Sequence, residues 1–539
     1  MPRTLLAILA ALVLATPLSA SEMPRIDHAN GRYTLVVDGQ PYFELGAQVG
    51  NSSAWPEKLD TLWPKAAAMH LNTLEVPVYW QQMEPREGAF DDSLIDTAVN
   101  GARAHHLRLI LLWFGTWKNG SSHYVPEWVA NDTTRFPRTL TRDGHPIDVL
   151  NANAPANLEA DSKAFTHLMH HLKEIDGDQH TVIMVQVENE SGSLGSVRDF
   201  SPLAQKLFNA PVPAALTTAL HKPAGTWQQV FGDDADETFQ AWSIATYINA
   251  IATAGKRELA LPMYVNNWLK SPRGYPILTV PGTDYPSGGP TFNMLSVWKA
   301  AAPSIDILAP DIYVPNTGRY RIVMDQFRRP DNPLFIPETH GFGHFPGSEG
   351  NARNLFLAIG AGTIGFSPFG LDAFTPEEDG KPNYEQQGLA DNYALLEPIS
   401  AELARLQFAG AVATAVEEPG IAQSDLTFGD WAAQVTFPPA YSASADVTGL
   451  SPTAALHMGR VLVAQLGPND FLVAGIDCRV HFRRLPVNTT TQTEFLRVEE
   501  GHYTNTTWTA TRLWNGDETD AGLNFQSPGS ILHVHLGTY

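Results

Sequence analysis

Short apolar runs rich in β-branched residues alternate with longer amphipathic stretches between residues 40 and 410, and this alternation constrains the fold more than any other feature. Each run has the length of a buried strand, and a helical pattern follows most of them. The eight runs are Tyr42–Gly50, Leu71–Trp80, Leu107–Gly115, Thr181–Glu190, Pro262–Trp268, Ile305–Tyr313, Pro333–Gly341 and Thr363–Gly370. The helical patterns include Leu62–His70, Ser93–His106, Asp161–Ile175, Phe239–Ala260, Ala352–Ile359 and Asp391–Leu406. Eight strands joined by crossover helices predict an α/β fold, a (β/α)8 TIM barrel.

Two long insertions and a change of pattern divide the chain further. The insertions, 116–157 and 191–235, follow the third and fourth strands, on the face where TIM barrels hold their active sites. Beyond about residue 408 polar and apolar residues alternate with Gly and Pro turns, which predicts a C-terminal all-β domain, a sandwich or a barrel. Its alternating segments are Trp431–Phe437, Arg460–Leu466, Asp470–Ile476, Thr493–Val498 and Ile531–Leu536. The predicted domains are a barrel over 21–408 and a β-sandwich-like domain over 409–539.

The first twenty residues have the layout of a secretory signal peptide. Arg3 precedes the apolar run Leu5–Leu14, and small residues follow as far as Ala20. The run is shorter than the ~20 apolar residues that span a bilayer, so we expect no membrane anchor and a secreted or periplasmic protein. The single cysteine, Cys478, cannot form an intrachain disulfide and is predicted to be a buried core residue.

Two predicted strands end in a glutamate, where a barrel presents its catalytic side chains. The fourth reads Val-Ile-Met-Val-Gln-Val-Glu-Asn-Glu (182–190) and the seventh reads Pro-Leu-Phe-Ile-Pro-Glu-Thr-His (333–340). A buried charge is costly unless it is paired or used, and hydrolysis of a glycosidic bond requires two carboxyl groups that flank the bond. Glu190 and Glu338 are therefore the candidate catalytic pair. Glu188, two residues before Glu190, is expected to be a buried structural carboxylate.

These motifs carry a resemblance to a known family. Asn189-Glu190 after strand four, with a glutamate ending strand seven, resembles the clan of retaining (β/α)8 glycosidases. Within it, Leu-Asn-Thr-Leu-Glu-Val-Pro-Val-Tyr-Trp-Gln-Gln-Met-Glu-Pro-Arg-Glu-Gly-Ala-Phe-Asp (71–91) and Val-Gln-Val-Glu-Asn-Glu (185–190) resemble the glycoside hydrolase family 35 β-galactosidases, in a bacterial subgroup with an extra β domain. The resemblance implies that Glu190 is the acid/base, that Glu338 is the nucleophile and that Asn189 binds the sugar 2-hydroxyl. It also places Tyr313 where clan members have a tyrosine that hydrogen-bonds the nucleophile.

The chain departs from the family at two places, so part of the sugar pocket is built differently. Val76-Pro77-Val78 replaces the usual Thr-Tyr-Val, and Tyr79 is the candidate for the missing sugar contact. The loop after strand three reads Trp-Phe-Gly-Thr-Trp-Lys-Asn-Gly (113–120) where the family often has Ala-Glu-Trp. Other candidate substrate-binding residues lie at strand ends or in the following loops, where each is about as compatible with the core as with a sugar platform. They are Trp113, Trp117, Asn119, Asn266, Asn267 and His340.

Charge limits the class of partner. The formal net charge is −22, which disfavours nucleic acid, acidic membranes and strongly acidic polysaccharides. A neutral carbohydrate is the expected substrate, and the oligomeric state stays open. We expect no metal, because His167, His170 and His171 fit a solvated helix face better than a metal motif. We expect no nucleotide cofactor, because the Gly-x-Gly-x-x-Gly of 360–365 follows a helix and precedes a strand, the reverse of the dinucleotide fingerprint.

The sequence thus predicts a retaining, exo-acting β-galactosidase, with the galactose side chains of xyloglucan as one substrate. Another retaining β-glycosidase of the same clan, such as a β-glucosidase, an arabinosidase or an endo-glucanase, is the nearest alternative. A non-catalytic carbohydrate-binding barrel is the alternative from another class. The presence of both glutamates and of Asn189 argues against it.

Overall fold

The computed structural model describes residues 22–271, 276–314, 316–342, 350–378, 381–418, 420–437, 457–487, 490–504 and 507–539. The predicted signal segment, 1–20, lies outside these residues. Within the described part of the chain, none of the helices combines the length and the apolar character that crossing a membrane requires.

The strands and helices are as follows, in chain order. The strands are β1 (Arg25–Ala29), β2 (Arg32–Val37), β3 (Gln40–Tyr42), β4 (Glu44–Leu45), β5 (Thr73–Tyr79), β6 (Arg108–Phe114), β7 (Arg138–Leu140), β8 (Pro146–Leu150), β9 (Val182–Val187), β10 (Met263–Asn267), β11 (Ile307–Ile312), β12 (Ile336–Thr339), β13 (Gly365–Pro368), β14 (Glu377–Glu378), β15 (Lys381–Pro382), β16 (Val412–Val416), β17 (Gln423–Phe428), β18 (Trp431–Thr436), β19 (Arg460–Gly467), β20 (Asp470–Ile476), β21 (Cys478–Arg484), β22 (Thr493–Thr504), β23 (Thr507–Leu513), β24 (Leu523–Phe525) and β25 (Ser530–Thr538). The helices are α1 (Pro56–Ala68), α2 (Trp80–Met83), α3 (Ser93–Ala104), α4 (Glu127–Ala130), α5 (Pro155–Asp176), α6 (Pro202–Asn209), α7 (Ala214–Ala219), α8 (Trp227–Phe231), α9 (Ala235–Glu258), α10 (Leu295–Ala301), α11 (Thr317–Phe327), α12 (Asn351–Ala361), α13 (Tyr384–Leu396) and α14 (Ser400–Ala409).

Eight parallel strands form the barrel that the sequence predicted. Their order is β4-β13-β12-β11-β10-β9-β6-β5. Gln48, which follows β4, makes parallel bridges to Glu75 of β5 and to Phe369 after β13, and these bridges close the sheet on itself. The strands read as nearly continuous apolar runs because helices cover their outer faces and the barrel interior covers the inner ones. All eight predicted strand regions contain a barrel strand.

Most predicted helices are present, with one correction. The pattern at Asp391–Leu406 forms two helices, α13 and α14, separated by a 3-10 turn at Glu397–Ile399. Pro398 lies in this turn, and proline cannot donate the backbone hydrogen bond that a continuous helix requires. The Gly-x-Gly-x-x-Gly segment ends α12, with Gly362 in the left-handed conformation at φ +85°. It is therefore a helix C-cap, as predicted.

The C-terminal region forms the two packed antiparallel sheets of a β-sandwich. The six-stranded sheet has the order β16-β19-β20-β25-β22-β23 and the four-stranded sheet has the order β17-β18-β21-β24. Strand β19 shows how the larger sheet is buried on both faces. Val461 and Val463 pack with the sandwich core, which also contains Cys478, whereas Leu462 and Ala464 belong to the core that the barrel helices share. This alternation follows the two-residue period of a strand, and it joins the two parts of the chain through a common apolar layer.

Candidate active site

The candidate catalytic residues lie at the carboxyl end of the barrel, on three neighbouring stretches of chain. Glu338 lies in β12, Asp311 lies in β11 directly beside it in register, and Glu190 follows β9. The chain turns sharply after β9, because Glu188 and Glu190 have φ values of +67° and +44°. Side chains with a Cβ rarely adopt this conformation, and such residues are frequent at functional sites.

Hydrogen bonds to a neighbouring loop and a neighbouring strand hold the turn that presents Glu190. The Glu190 N–H donates to Asn266 Oδ1 over 2.9 Å, and the Gly120 N–H donates to the Glu190 carbonyl over 3.0 Å. The Asn189 N–H donates to the Trp117 carbonyl over 3.2 Å. The backbone of the acid/base candidate is therefore fixed by the loop after β6 and by the Asn266 side chain of β10, not by its own strand.

Three carboxyl groups meet at this point. Glu190, Asp311 and Glu338 are only 8%, 2% and 6% exposed, and one oxygen of each lies within 4.8 Å of one oxygen of each of the others. The Tyr313 hydroxyl donates to Glu338 Oε1 over 2.6 Å. Asn266 Nδ2 donates to Asp311 Oδ2 over 2.9 Å, so Asn266 bridges the Asp311 side chain and the Glu190 backbone.

A cavity of about 420 Å³ opens over these carboxyl groups, within the usual size range of small-molecule sites. Its floor is acidic, one side carries Lys118, and much of the remaining wall is apolar or aromatic. The described residues that line it are Asn51, Lys118, Asn119, Glu190, Trp268, Leu269, Leu278, Asp311, Tyr313, Val314, Glu338 and Phe369. A polar floor with apolar walls suits a ligand that has both hydroxyl groups and carbon faces, as a sugar ring does.

Burial and mutual repulsion shift the proton affinities of this cluster. Burial, and then the charge of Glu338, raise the pKa of Glu190 to about 7. Burial and the charges of Glu338 and Glu190 raise the pKa of Asp311 well above its usual range. The Lys118 ammonium opposes both shifts. A carboxyl group that keeps its proton near neutral pH can serve as a general acid.

Parts of this chain are similar in sequence to known proteins. Residues 51–249 match the Glyco_hydro_42 family model, described as "Beta-galactosidase", and residues 389–526 match a domain of unknown function, DUF5597. The first half of the barrel resembles β-galactosidases. A curated β-galactosidase from Xanthomonas manihotis is 31% identical over 207 residues, which cover 35% of this chain and 31% of that protein. The match thus spans about a third of the length of this relative.

Solved structures that match this chain at low sequence identity include a β-galactosidase and the catalytic domain of a β-amylase. The β-galactosidase of Bacillus circulans sp. alkalophilus has 12% sequence identity and a TM-score of 0.48, over 67% of this chain and 57% of its own. The β-amylase catalytic domain of Paenibacillus polymyxa has 12% identity and a TM-score of 0.49, over 65% of this chain and 97% of its own.

The sequence matches support the prediction of a glycoside hydrolase from the β-galactosidases of the (β/α)8 clan. They do not confirm the finer assignment to family 35, because the matching family model is that of family 42. The DUF5597 match begins at residue 389, inside α13, and so it does not coincide with the predicted domain boundary at 408/409.

Several predicted site residues come together at the cavity. Glu190, Glu338, Tyr313 and Asn119 line it. Asn189 lies next to them, and its Oδ1 accepts a 2.7 Å hydrogen bond from Lys118 Nζ.

Other predicted residues lie outside the cavity lining. Trp113 and Trp117 are fully buried, and Trp113 Nε1 donates to Asp161 Oδ1 over 3.0 Å. Tyr79 is buried against Tyr124, with ring centroids 5.4 Å apart, and its hydroxyl accepts from the Ala54 N–H. The structure thus gives these three residues packing positions in place of the sugar contacts that the sequence predicted.

Asn267 and His340 are also buried, but they lie closer to the site. Asn267 Nδ2 donates to the Trp268 carbonyl over 2.8 Å. The ring of His340 packs edge-on against Tyr313, with centroids 5.4 Å apart. Each contacts a residue that lines the cavity, and neither belongs to the lining itself.

Glu188 has the structural setting expected for it. Its carboxylate accepts hydrogen bonds from the Thr116 and Trp117 N–H groups, over 3.1 and 2.6 Å, and it lies beside the buried Asp161. It is fully buried and does not line the cavity. The helix histidines differ from a purely solvated face, because His167, His170 and His171 pair with Asp92, Glu258 and Asp96.

Two polar residues of the site, Asp311 and Lys118, were not predicted from the sequence. Asp311 lies in β11, two residues before Tyr313, which directly follows the strand, so the two-residue period of an extended chain pointed to it. Asn266 was predicted with Asn267 as a hydroxyl binder, but its side chain bonds to Asp311 and to the Glu190 backbone. Lys118 carried no signal of its own, because the conformation of the loop after β6 decides where its ammonium lies.

The three carboxyl groups are also close enough to share a cation. The Lys118 ammonium beside them already supplies positive charge to the cluster. The expectation of a metal-independent protein stays a prediction.

The pKa of Glu190 leads to an expected pH dependence. An acid must hold its proton before the leaving group departs, so kcat/KM for a substrate with a poor leaving group should fall above about pH 7. An unshifted glutamate, with a pKa of ~4.3, would place the fall much lower. The measurement is the pH profile of kcat/KM for a methyl or alkyl glycoside. A dinitrophenyl glycoside, which leaves without protonation, is the control and should lack this limb. A limb that is identical for both substrates would contradict the assignment.

Proposed function

We propose that the protein is a retaining glycoside hydrolase, a β-galactosidase that releases terminal β-galactose from oligo- or polysaccharide side chains. Glu338 is the nucleophile and Glu190 is the acid/base. The observation that carries the proposal is the close approach of Glu190 and Glu338 in a cavity at the carboxyl end of the barrel. Their nearest oxygens lie within 4.8 Å of each other, which favours the close carboxyl pair of retaining enzymes, about 5 to 5.5 Å apart, over the wider pair of inverting ones.

The reaction proceeds in two displacements. In the first, a Glu338 oxygen attacks the anomeric carbon while the bond to the leaving oxygen breaks and that oxygen takes the proton of Glu190. In the second, Glu190 removes a proton from water, the water oxygen attacks the anomeric carbon, and the ester bond to Glu338 breaks. Two inversions retain the configuration. The Tyr313 hydroxyl, bonded to Glu338 Oε1, leaves the second oxygen of Glu338 for the attack.

The raised pKa of Glu190 supports its role as the acid, because a group with a pKa of about 7 is protonated over much of the neutral range. After the first step Glu338 has lost its negative charge in the ester. The repulsion that raised the pKa of Glu190 is then gone, so Glu190 releases its proton more easily and acts as the base.

The walls of the cavity support an exo-acting enzyme. Lys118 and Asn119 come from the loop after β6, as predicted, whereas Leu269 and Leu278 come from the loop after β10. Of the described residues after β9, Glu190 lines the cavity and the long insertion 191–235 does not. A pocket bounded on these sides would admit the end of a sugar chain. The net negative charge of the protein favours a neutral polymer, such as galactose-capped xyloglucan.

The glycone is tested by comparing nitrophenyl β-glycosides. We expect kcat/KM on the β-galactoside to exceed that on the β-glucoside by roughly 10-fold or more, because a buried polar group that loses its hydroxyl partner discriminates strongly. The two substrates differ only at the 4-hydroxyl. An equal or higher kcat/KM on the glucoside, the arabinoside or an internal-chain substrate would contradict the galactosidase proposal and leave the two-glutamate mechanism intact. A wild-type protein that binds sugars and hydrolyses none would favour a non-catalytic barrel.

We also make a proposal about where the protein is located and how its chain is divided into domains. We propose a secreted or periplasmic enzyme with a catalytic barrel over 21–408 and a β-sandwich over 409–539. The layout of residues 1–20 supports the first, and the sheets from β16 onward support the second.

A further inference from the structure

The loop after β6 makes a tight turn at the edge of the cavity. The Lys118 N–H donates to the Ser121 carbonyl over 2.8 Å and the Ser121 N–H donates back over 3.1 Å. The central residues Asn119 and Gly120 have φ values of +54° and +70°, the combination that Asn-Gly favours in two-residue turns. A Cβ on Gly120 would lie 2.7 Å from Pro286 Cγ, so the turn has no room for a larger residue.

This turn is tied to the acid/base itself, because the Gly120 N–H donates to the Glu190 carbonyl. It holds the Lys118 ammonium in the site, where the side chain is 4% exposed and lies 5.0 Å from the centre of the Phe114 ring. Burying an ammonium is costly without partners. Its partners here are Asn189 Oδ1, at 2.7 Å, and the nearby carboxyl groups of Glu190 and Asp311.

The bond to Lys118 fixes which way the Asn189 amide faces. An ammonium can only donate, so the atom of Asn189 beside it must be the oxygen. The amide nitrogen, Nδ2, then lies on the other side. It is buried and has no hydrogen-bond partner among the residues that the structure describes. A buried donor in this state gains free energy when a hydroxyl of a ligand accepts from it.

We propose that Lys118 is a positioning residue, which locks the Asn189 amide with its N–H groups available to one hydroxyl of the sugar ring. This inference rests on the proposed function, in which Asn189 binds the glycone. Without the ammonium, the amide could rotate and present its oxygen, and the bond to the sugar would lose its fixed donor. Lys118 thereby shapes part of the sugar subsite without contacting the sugar itself.

The test compares the galactoside with its 2-, 3-, 4- and 6-deoxy analogues in wild type, Lys118→Met, Asn189→Ala and the double variant. We expect Lys118→Met to lower kcat/KM on the parent substrate by roughly 10- to 100-fold, because a charge-assisted, buried hydrogen bond is lost. The penalty for removing one particular hydroxyl should shrink in Lys118→Met and in Asn189→Ala alike. In the Asn189→Ala background, Lys118→Met should add less than about 3-fold, since the two residues act as a unit.

Two further variants separate positioning from charge. Lys118→Gln keeps a donor for Asn189 Oδ1 and should retain more of the hydroxyl discrimination than Lys118→Met. In wild type the Lys118 ammonium lowers the pKa of Glu190. Both variants remove this ammonium, so the pKa of Glu190 should rise and the alkaline limb of kcat/KM should move to higher pH in both. Glu338, Asp311 and Tyr313 still face Glu190 in each variant. Lys173→Met, an exposed lysine in the last turn of α5, is the matched control and should behave as wild type.

The results of these experiments distinguish a failure of the positioning role from a failure of the proposed function. If Lys118→Met slows all the deoxy analogues by the same factor, or if its effect adds in full to that of Asn189→Ala, the positioning role is wrong. Calorimetric titration with galactose and its deoxy analogues makes the same comparison without turnover. A wild-type protein that hydrolyses no glycoside would therefore contradict the proposed function, while the titrations would still decide the role of Lys118.

Discussion

Replacing Glu338 by alanine is expected to lower kcat by roughly 10⁴-fold or more, because the variant cannot form the covalent intermediate. The space left by the carboxylate can admit a small anion on the same side of the sugar. Azide or formate should therefore restore turnover, and the glycosyl azide formed should have inverted configuration, since the anion makes a single displacement. The measurement is the rate of nitrophenol release with and without azide, followed by assignment of the product anomer by NMR.

A matched control shows that the loss is specific to the site. Glu87→Ala removes a half-exposed carboxylate that pairs with Arg135 on the surface, and it should leave kcat within a factor of about two. An azide product of retained configuration from Glu338→Ala would exchange the roles of Glu190 and Glu338. Undiminished activity in Glu338→Ala would remove the nucleophile from the account.

Replacing Glu190 by alanine is expected to have an effect that depends on the leaving group. For an alkyl glycoside kcat/KM should fall by about 10²- to 10⁴-fold, because no proton reaches the leaving oxygen. A dinitrophenyl glycoside needs no protonation, so its first step should be nearly unaffected and its intermediate should accumulate, since no base activates water. Azide needs no base, and it should attack this intermediate to give a glycosyl azide of retained configuration.

The control for Glu190→Ala is Glu188→Gln, which changes the nearby carboxylate that accepts bonds from Thr116 and Trp117. Its effect should be on stability, seen as a lower melting temperature, with no dependence on the leaving group. If the activity of Glu188→Gln depends on the leaving group and that of Glu190→Ala does not, Glu188 is the acid and our assignment of Glu190 is wrong.

The sequence allowed the barrel to be predicted because the helical and strand periods of its units are local properties. The runs at 107–115 and 181–190 each became a barrel strand, and the glutamates after β9 and in β12 meet because parallel strands end at the same face. For Trp113 and Trp117, the strand pattern did not predict whether the side chain lines the cavity or packs in the core. Trp113 lies near the end of β6 and Trp117 lies in the following loop, and both are fully buried, because the packing around a strand end decides whether a side chain there reaches the cavity.

Asp311 and Lys118 are site residues that were not predicted from the sequence. Asp311 could in principle have been predicted, because it lies near the end of β11, two residues before the predicted Tyr313, and residues two apart in an extended chain point to the same side. Lys118 was not, because its position depends on the left-handed turn at Asn119 and Gly120 and on the hydrogen bond of Gly120 to Glu190. These contacts join residues about 70 positions apart, and no local pattern records them.

In the proposed retaining reaction, Glu338 forms a covalent bond to the sugar. The most direct measurement treats the wild-type enzyme with dinitrophenyl 2-deoxy-2-fluoro-β-galactoside, which slows the second displacement and so traps the intermediate. Mass spectrometry of peptides from the inactivated protein should find one fluorosugar, attached to the peptide that contains Glu338. Attachment to Glu190, or turnover that proceeds with inversion and never yields a labelled protein, would contradict the account.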